Sequence, residues 1–285
     1  MTRSHDDDQG LIPSKLVRAS DGLPARPVKS WAQEKLFYIE RYVDIFTTAM
    51  KTRWPRRVYI DLFAGPGRSV VEDSGEEIDG SPLLALNAHY PFTDLYLNDQ
   101  DSEAISALRR RASGFPSANL VIRNLDCNEA AVDAIDALSL NKRDTLGLAV
   151  IDPTAFQISF EALETMTRGR RIDLIITVMT GFLKRFIDHP SYQRPLDQFF
   201  GSPDWRTLMD LRAAGEKVTF RALLDSYEDK LRTLGYMYVD DDIRILNSRE
   251  STIYHLVFAS KHPRGAEFFK KISRRKYSGQ GRMGL

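Results

Sequence analysis

Val58-Tyr59-Ile60-Asp61-Leu62-Phe63-Ala64-Gly65-Pro66-Gly67 decides how the rest of the chain is read. A near-continuous apolar run predicts a buried strand, and Gly-x-Gly follows it directly. Glycine there permits a tight turn and lets a ligand approach the backbone with no Cβ in the way. Gly67 is followed by Arg68-Ser69-Val70, so the third glycine of the dinucleotide fingerprint, which serves close helix packing, is missing. Asp61, at the strand end, suits a ligand's ammonium group. A plain structural turn is the competing reading.

Working outward, apolar runs recur at Val58–Phe63, Leu95–Asn98, Leu120–Arg123, Leu146–Ile151 and Leu174–Met179. Amphipathic stretches separate them at about 82–89, 102–112, 128–138 and 160–167. Short apolar strands alternating with helices predict a parallel sheet covered on both faces. Upstream, Ala32, Leu36, Ile39, Val43, Phe46 and Met50 form one helical stripe, with Ser30 and Gln33 as its capping box. Downstream, a helix over about 219–234 precedes two strand-like runs, Tyr236–Val239 continuing to Ile245 and Thr252–Ala259, joined by the turn Asn247-Ser248-Arg249-Glu250. The predicted fold is therefore α/β and Rossmann-like, a mostly parallel sheet with an antiparallel terminal strand and helices on both faces, the arrangement of class I methyltransferases.

Residues 1–28 are polar and Pro-punctuated and read as a flexible N-terminal arm. Residues 29–262 read as the main domain, with an inserted lid at 190–216 and an inserted loop at 68–80. Residues 263–285 read as a basic C-terminal helix and tail. Composition is that of a folded globular chain, 42% hydrophobic and 28% charged. With 40 Lys+Arg against 39 Asp+Glu, no global field draws the protein to nucleic acid or membrane. A single cysteine excludes a disulfide framework, and the scattered histidines form no metal-ligand cluster. No signal peptide and no membrane span are expected, which predicts a cytoplasmic protein.

Three further segments carry candidate chemistry. Leu95-Tyr96-Leu97-Asn98-Asp99 puts an acid just past the second strand of the repeat, where a carboxylate can accept both hydroxyls of a ribose. Asp99 is favoured, with Asn98 and Asp101 competing and Asp101 equally suited to cap a helix. In the methyltransferase fold an acid placed like Asp126 of Asn124-Leu125-Asp126-Cys127 meets the adenine amino group, which the resemblance to that fold implies here; capping of the next helix is the alternative. Ile151-Asp152-Pro153-Thr154-Ala155-Phe156 ends a strand at the carboxyl edge of the sheet, where reacting groups collect. Asp152-Pro153 resembles the Asp-Pro-Pro-Tyr of amino-methyltransferases, which implies that Asp152 and Pro153 hold a substrate amine and Phe156 stacks on a base; a strand-terminating Asp-Pro turn is the alternative.

Taken together, these motifs resemble the three-Cys-motif partner family (TcmP). The resemblance rests on Lys35-x-x-Tyr38-Ile39-x-x-Tyr42, Tyr59-Ile60-Asp61-x-Phe63-Ala64-Gly65-Pro66-Gly67, Gly80-Ser81-Pro82-Leu83-x-Ala85-Leu86 and Ile151-Asp152-Pro153. It continues through Asp173-Leu174-Ile175-Ile176 and Tyr254-His255-Leu256-Val257-Phe258-Ala259-Ser260. It implies a methyltransferase fold binding S-adenosylmethionine (SAM) and a companion protein of three-cysteine, radical-SAM type. Where the family has Asp-Pro-Phe-Gly, this chain has Asp152-Pro153-Thr154-Ala155. A looser similarity runs to ribosomal-RNA adenine-N6 methyltransferases.

The expected SAM residues are Asp61, Phe63, Ala64, Gly65, Gly67, Asp99 and Asp126. The expected catalytic residues are Asp152, Pro153 and Phe156. The expected activity is methyl transfer to an amino nitrogen. A non-catalytic SAM- or nucleotide-binding subunit of the three-cysteine companion is the alternative, and a nicotinamide oxidoreductase is disfavoured by the missing glycine. Basic residues of the C-terminal tail offer a grip for nucleic acid.

Overall fold

The computed structural model describes residues 15–115, 119–247, 249–275 and 277. The described chain opens with β1 (Val17–Arg18) and β2 (Pro24–Val28), followed by α1 (Trp31–Met50) and β3 (Arg56–Asp61). A short hairpin, β4 (Arg68–Val71) and β5 (Glu77–Asp79), leads into α2 (Ser81–Leu86). Then come β6 (Asp94–Asn98), α3 (Ser102–Ala112), β7 (Asn119–Arg123), α4 (Cys127–Ala137), β8 (Thr145–Ile151), α5 (Phe160–Thr167) and β9 (Ile172–Val178). The C-terminal half adds α6 (Thr180–Phe186), α7 (Gln193–Phe200), α8 (Trp205–Ala213), α9 (Phe220–Thr233), β10 (Tyr238–Leu246), β11 (Thr252–Ser260) and α10 (Pro263–Ser273).

Seven strands make the central sheet in the order β10-β11-β9-β8-β3-β6-β7. The β9-β8-β3-β6-β7 pairings are parallel, and β11 runs antiparallel to both neighbours, β9 and β10. The fold is thus Rossmann-like α/β with a reversed terminal strand. Period-two alternation divides the strand residues between two cores. Val58, Ile60, Ala149, Ile151, Leu174 and Ile176 face α4, α5 and α9. Tyr59, Leu95, Leu97, Leu148, Val150 and Phe258 face α1, α3 and α10. The chain leaves β3 toward β6 and later returns on its other side at β8, so the carboxyl ends of β3 and β8 flank the switch point where such sheets open a crevice.

Several expectations change here. Residues 17–28 form strands: β2 pairs in parallel with β4, and β1-β2-β4-β5 make a second, four-stranded sheet. Prolines 24 and 27 hid this, because proline lacks an N–H for the ladder and is tolerated mainly at edges and strand starts. Residues 1–14 lie outside the described residues. The stretch 68–80 is the β4–β5 hairpin rather than a loose loop. Ser30 has helical backbone angles and makes no side-chain cap, while Gln33 Nε2 donates to Glu76 on that hairpin, 2.8 Å away.

Residues 190–216 do not cover the crevice. Phe199, Phe200 and Trp205 are buried, and the Phe199 ring stacks on Tyr227 of α9 at 4.5 Å. This segment is a second layer of core against α5 and α9. The basic C-terminal helix, α10, packs on α1 and the terminal hairpin through Phe268, Phe269 and Ile272. No described helix is long and apolar enough to cross a membrane.

Candidate functional site

A cavity of 990 Å³ opens at the carboxyl ends of the central strands and is bordered by β2 and β4 of the small sheet. It is at the upper end of the range for small-molecule sites, roughly 300–1,000 Å³. Its floor includes Phe63, Ala64, Gly65 and Gly67, and Asp99 and Asp152 stand on its wall. Residues that the sequence read as separate cofactor and acceptor groups therefore share one chamber.

The glycine turn is held by backbone strain that only glycine relieves. Gly65 and Gly67 have φ of +60° and +85°. A Cβ on Gly67 would sit 3.0 Å from Leu108 Cδ1 and 3.3 Å from Leu83 Cγ. It would thus press into the protein core, not into the cavity, and Gly67→Val attacks the fold as well as the site. The β4–β5 hairpin returns the chain to this point, where Gly80 N–H donates to Gly67 O at 2.8 Å.

That return delivers Ser81 to Asp61. Ser81 Oγ donates to Asp61 Oδ2 at 2.6 Å, Phe63 N–H to Oδ1 at 3.1 Å, and Tyr59 Oη to Oδ2 at 3.3 Å. Asp61 is fully buried beneath the floor and does not line the cavity. Burial pushes its carboxyl up to about 7 against the lowering by Ser81 and Phe63. Asp61, expected to meet a ligand ammonium, is not among the cavity-lining residues, and its oxygens tie β3 to the start of α2. Ser81 occupies the first position of α2, with Gly80 as the N-cap.

The three candidates at the end of β6 separate by role. Asn98 is wholly buried, donating to Leu62 O and Leu125 O and accepting from Leu125 N–H, so it clamps three strand ends together. Asp101 caps α3 by accepting from Glu103 and Ala104 N–H. Asp99 accepts from Gly65 N–H at 2.9 Å and from Asp101 N–H at 2.9 Å. Arg26, on β2, completes the group with a 3.3 Å contact to Asp99 Oδ2.

Asp126 is exposed, caps α4 through Asn128 N–H and is not on the cavity wall. Its neighbour Cys127 is on that wall, and burial pushes its thiol up to about 12, so it is a protonated, small apolar surface. At the end of β8, Asp152, Pro153 and Thr154 line the cavity. Phe156 does not: it is 4% exposed and packs edge-on to Phe182 at 5.2 Å and against Phe199 at 5.2 Å. One extra residue after Asp-Pro-Thr turns it into the core, which removes it as a stacking surface. The aromatic walls of the cavity are Trp31, Phe63, Phe182 and Tyr254 instead.

Several wall residues escaped the sequence reading of the site, Lys35 and Tyr254 among them. Lys35 Nζ forms an ion pair with Asp152 Oδ2, with side-chain exposures of 16% and 22%. Trp31, Lys35 and Leu36 all face the cavity at helical spacing. The signal was a cation within the first apolar turns of α1. Tyr254 comes from β11, and nothing local in its strand marks it as a site residue.

No protein-family model and no curated protein matches the chain. Among solved structures it is similar to a DUF519-family protein from Legionella pneumophila, with 11% identity over 83% of this chain and 89% of that one and a TM-score of 0.49. It is also similar to Trm1 from Pyrococcus horikoshii in complex with S-adenosyl-L-methionine, with 13% identity, 89% of this chain, 61% of that chain and a TM-score of 0.48. A third is TYW2 from M. jannaschii in complex with AdoMet, with 10% identity, 86% and 84% coverage and a TM-score of 0.40. The fold assignment itself rests on the strand order and on the reversed β11.

Proposed function

We propose that this chain is a SAM-dependent methyltransferase of the three-Cys-motif partner type, acting on an amino nitrogen of a nucleobase or a related small molecule. The observation that carries this reading is one chamber holding both the Gly65–Gly67 turn with Asp99 and, across it, Asp152. Asp99 is the acid for the ribose hydroxyls. Its two protein N–H donors fix the carboxylate, and Arg26 is the contact that must yield when a diol binds. Backbone at Gly65 and Gly67 gives close approach for the rest of the cofactor.

SAM supplies an activated methyl on a sulfonium, so the protein's work is alignment and exclusion of water. Asp152 accepts a hydrogen bond from the acceptor amine and orients its lone pair. Lys35 holds Asp152 in place through their ion pair. Phe63, Phe182 and Trp31 supply apolar walls.

The alternative is a SAM- or nucleotide-binding subunit that serves a three-cysteine companion without catalysis. It is favoured by two observations: Phe156 is withdrawn into the core, and Asp152 is already engaged by Lys35. The test titrates SAM and NAD into the protein, then assays methyl transfer with and without the companion. SAM should bind in preference to NAD. Asp99→Ala should weaken SAM at least tenfold, and Asp152→Ala should lower turnover by about a hundredfold with SAM affinity retained, as an oriented hydrogen bond at a reacting centre is worth on the order of 2–4 kcal/mol. Tight SAM binding without turnover under any condition selects the non-catalytic reading, and preference for NAD removes both.

A further inference from the structure

At the amino-terminal edge of the parallel strands, opposite the chamber, lies a second cavity of 430 Å³. Its lining includes Asn141, Lys142 and Arg143, just before β8, and Arg170 and Arg171, just before β9. β8 and β9 pair in parallel, so their starts lie side by side, about 4.8 Å apart. Two basic pairs far apart in sequence therefore converge, and no carboxylate joins them in the lining.

Part of this charge has structural work. Arg170 Nη1 donates to Thr165 O at 2.8 Å and Met166 O at 3.3 Å, closing the carboxyl end of α5. Lys261, just past β11, donates from Nζ to Thr167 O at 2.7 Å and Arg170 O at 3.1 Å. Arg171 Nη1 donates to Arg143 O at 3.1 Å, and Arg170 Nε to Asn141 Oδ1 at 3.0 Å. Each of these acceptors is neutral. A helix carboxyl end offsets roughly half a positive charge, too little for Arg170 and Lys261 together. Burial first, and then the Arg170 charge, lower the Lys261 ammonium from its usual value. The acids nearby leave the excess in place. Glu164 pairs with Arg168 outside the lining, Asp144 is exposed, and Asp136 favours the Arg170 charge without pairing with it. Lys142 and Arg143 are exposed, and among the described residues their side chains make no hydrogen bond or ion pair. Packing gives no reason for cations at these two positions.

We propose that this cavity is a phosphate site. Arg143 and Arg171 offer forked N–H donors to phosphate oxygens, and Lys142 adds an ammonium. Asn141 adds its amide N–H, since its Oδ1 is taken by Arg170. The volume is in the range of small-molecule sites, which leaves room for a short chain of phosphates. A nucleotide's polyphosphate and a nucleic-acid backbone both present that chemistry. The site shares no lining residue with the chamber, so it stands independently of the methyl-transfer reading.

The test measures calorimetric binding of tripolyphosphate and of a single-stranded RNA to the full-length protein at low salt. Lys142→Gln/Arg143→Gln is compared with Arg110→Gln/Lys217→Gln, which removes the same charge from exposed positions elsewhere. Both variants should melt as the unsubstituted protein does, because no described contact of these side chains is lost. The first should bind tripolyphosphate at least tenfold more weakly, as two charge-assisted contacts go, and the second should bind it unchanged. Tripolyphosphate should also raise the melting temperature of the unsubstituted protein beyond sodium chloride of equal ionic strength. No binding of tripolyphosphate, an equal loss in the two variants, or a rise that sodium chloride reproduces would overturn the proposal. The RNA arm identifies the source. A parallel loss of RNA affinity in Lys142→Gln/Arg143→Gln assigns a nucleic-acid backbone, and unchanged RNA affinity assigns a free polyphosphate or nucleotide; either result supports the site.

Discussion

Asp61, which the sequence offers to a ligand's ammonium group, is fully buried. Its carboxyl lies under the cavity floor with Ser81, Phe63 N–H and Tyr59 around it, and burial raises it to about 7. An unfolded aspartate titrates near ~3.9. The folded state therefore holds its proton across the window in which the unfolded state has already released it. The stability contributed by this group is fully present below about pH 4 and is lost as pH rises through about 7. Between pH 5 and 8 the unfolding free energy should fall by on the order of 2–4 kcal/mol from this residue. Asp61→Asn should flatten most of that slope. Asp173, raised to about 6 by burial, remains in the variant and leaves a residual decline. Urea unfolding at several pH values checks this; parallel profiles for the two proteins would refute it.

Arg26 and Gln33 each tie the small sheet to the main body by one contact, and Arg111 ties it by several. Arg111, on α3, donates from Nε and Nη2 to Asp21 at 2.9 Å each, and from Nη1 to Pro24 O at 2.6 Å and Pro66 O at 2.7 Å. It thereby joins the β1–β2 turn, the glycine turn and a core helix. Arg111→Met should release residues 17–28, speeding their amide exchange while leaving α4 and α5 protected. It should cost on the order of 2–4 kcal/mol, as a nearly buried guanidinium loses several charge-assisted bonds. SAM affinity should fall with it, since Arg26, Pro27 and Val28 line the cavity. Unchanged exchange in residues 17–28 would show that strand pairing alone holds this sheet. The Arg111 guanidinium also holds Asp21 down at about 2, so this element's contribution is present above about pH 4 and is lost as pH falls toward 2.

Across the whole molecule, a net charge of +1 leaves any nucleic-acid affinity to local patches. On α10 the buried Phe268, Phe269 and Ile272 turn Lys270 and Lys271 outward, and Arg274 and Arg275 follow, also exposed. Cations grouped this way release counterions from a phosphate backbone, which gives a steep salt dependence. Truncation after Ser273 removes Arg274, Arg275, Lys276 and Arg282, together with the C-cap of α10 and the Tyr277 ring packed on Phe37, and leaves Phe268, Phe269 and Ile272 in place. The truncated protein should bind structured and single-stranded RNA more weakly at low salt, with a shallower dependence on salt. Equal binding by both forms, or none at low salt, would reject the tail as a grip and favour a small-molecule acceptor.

Periodicity alone settled most of the architecture. Residues 102–112 and 160–167 are the helices the amphipathic pattern describes, and each central strand lies within two residues of its apolar run. Burial on one or both faces writes itself into a strand or helix at periods of 2 and 3.6, so local sequence carries it. The glycine turn and the acids Asp99 and Asp152 were legible for a related reason: they follow strand ends, and strand ends at a switch point face a crevice. What local sequence could not carry is which side chains meet there. Lys35 and Asp152 lie 117 positions apart and touch only because α1 packs beside the carboxyl end of β8. Tyr254 reaches the same wall because β11 inserts antiparallel beside β9. The same limit explains the misplaced residues. Asp126 became a cap and Phe156 a core residue because one position of slip in a loop decides whether a side chain faces solvent, cavity or core, and only the packed structure sets that slip.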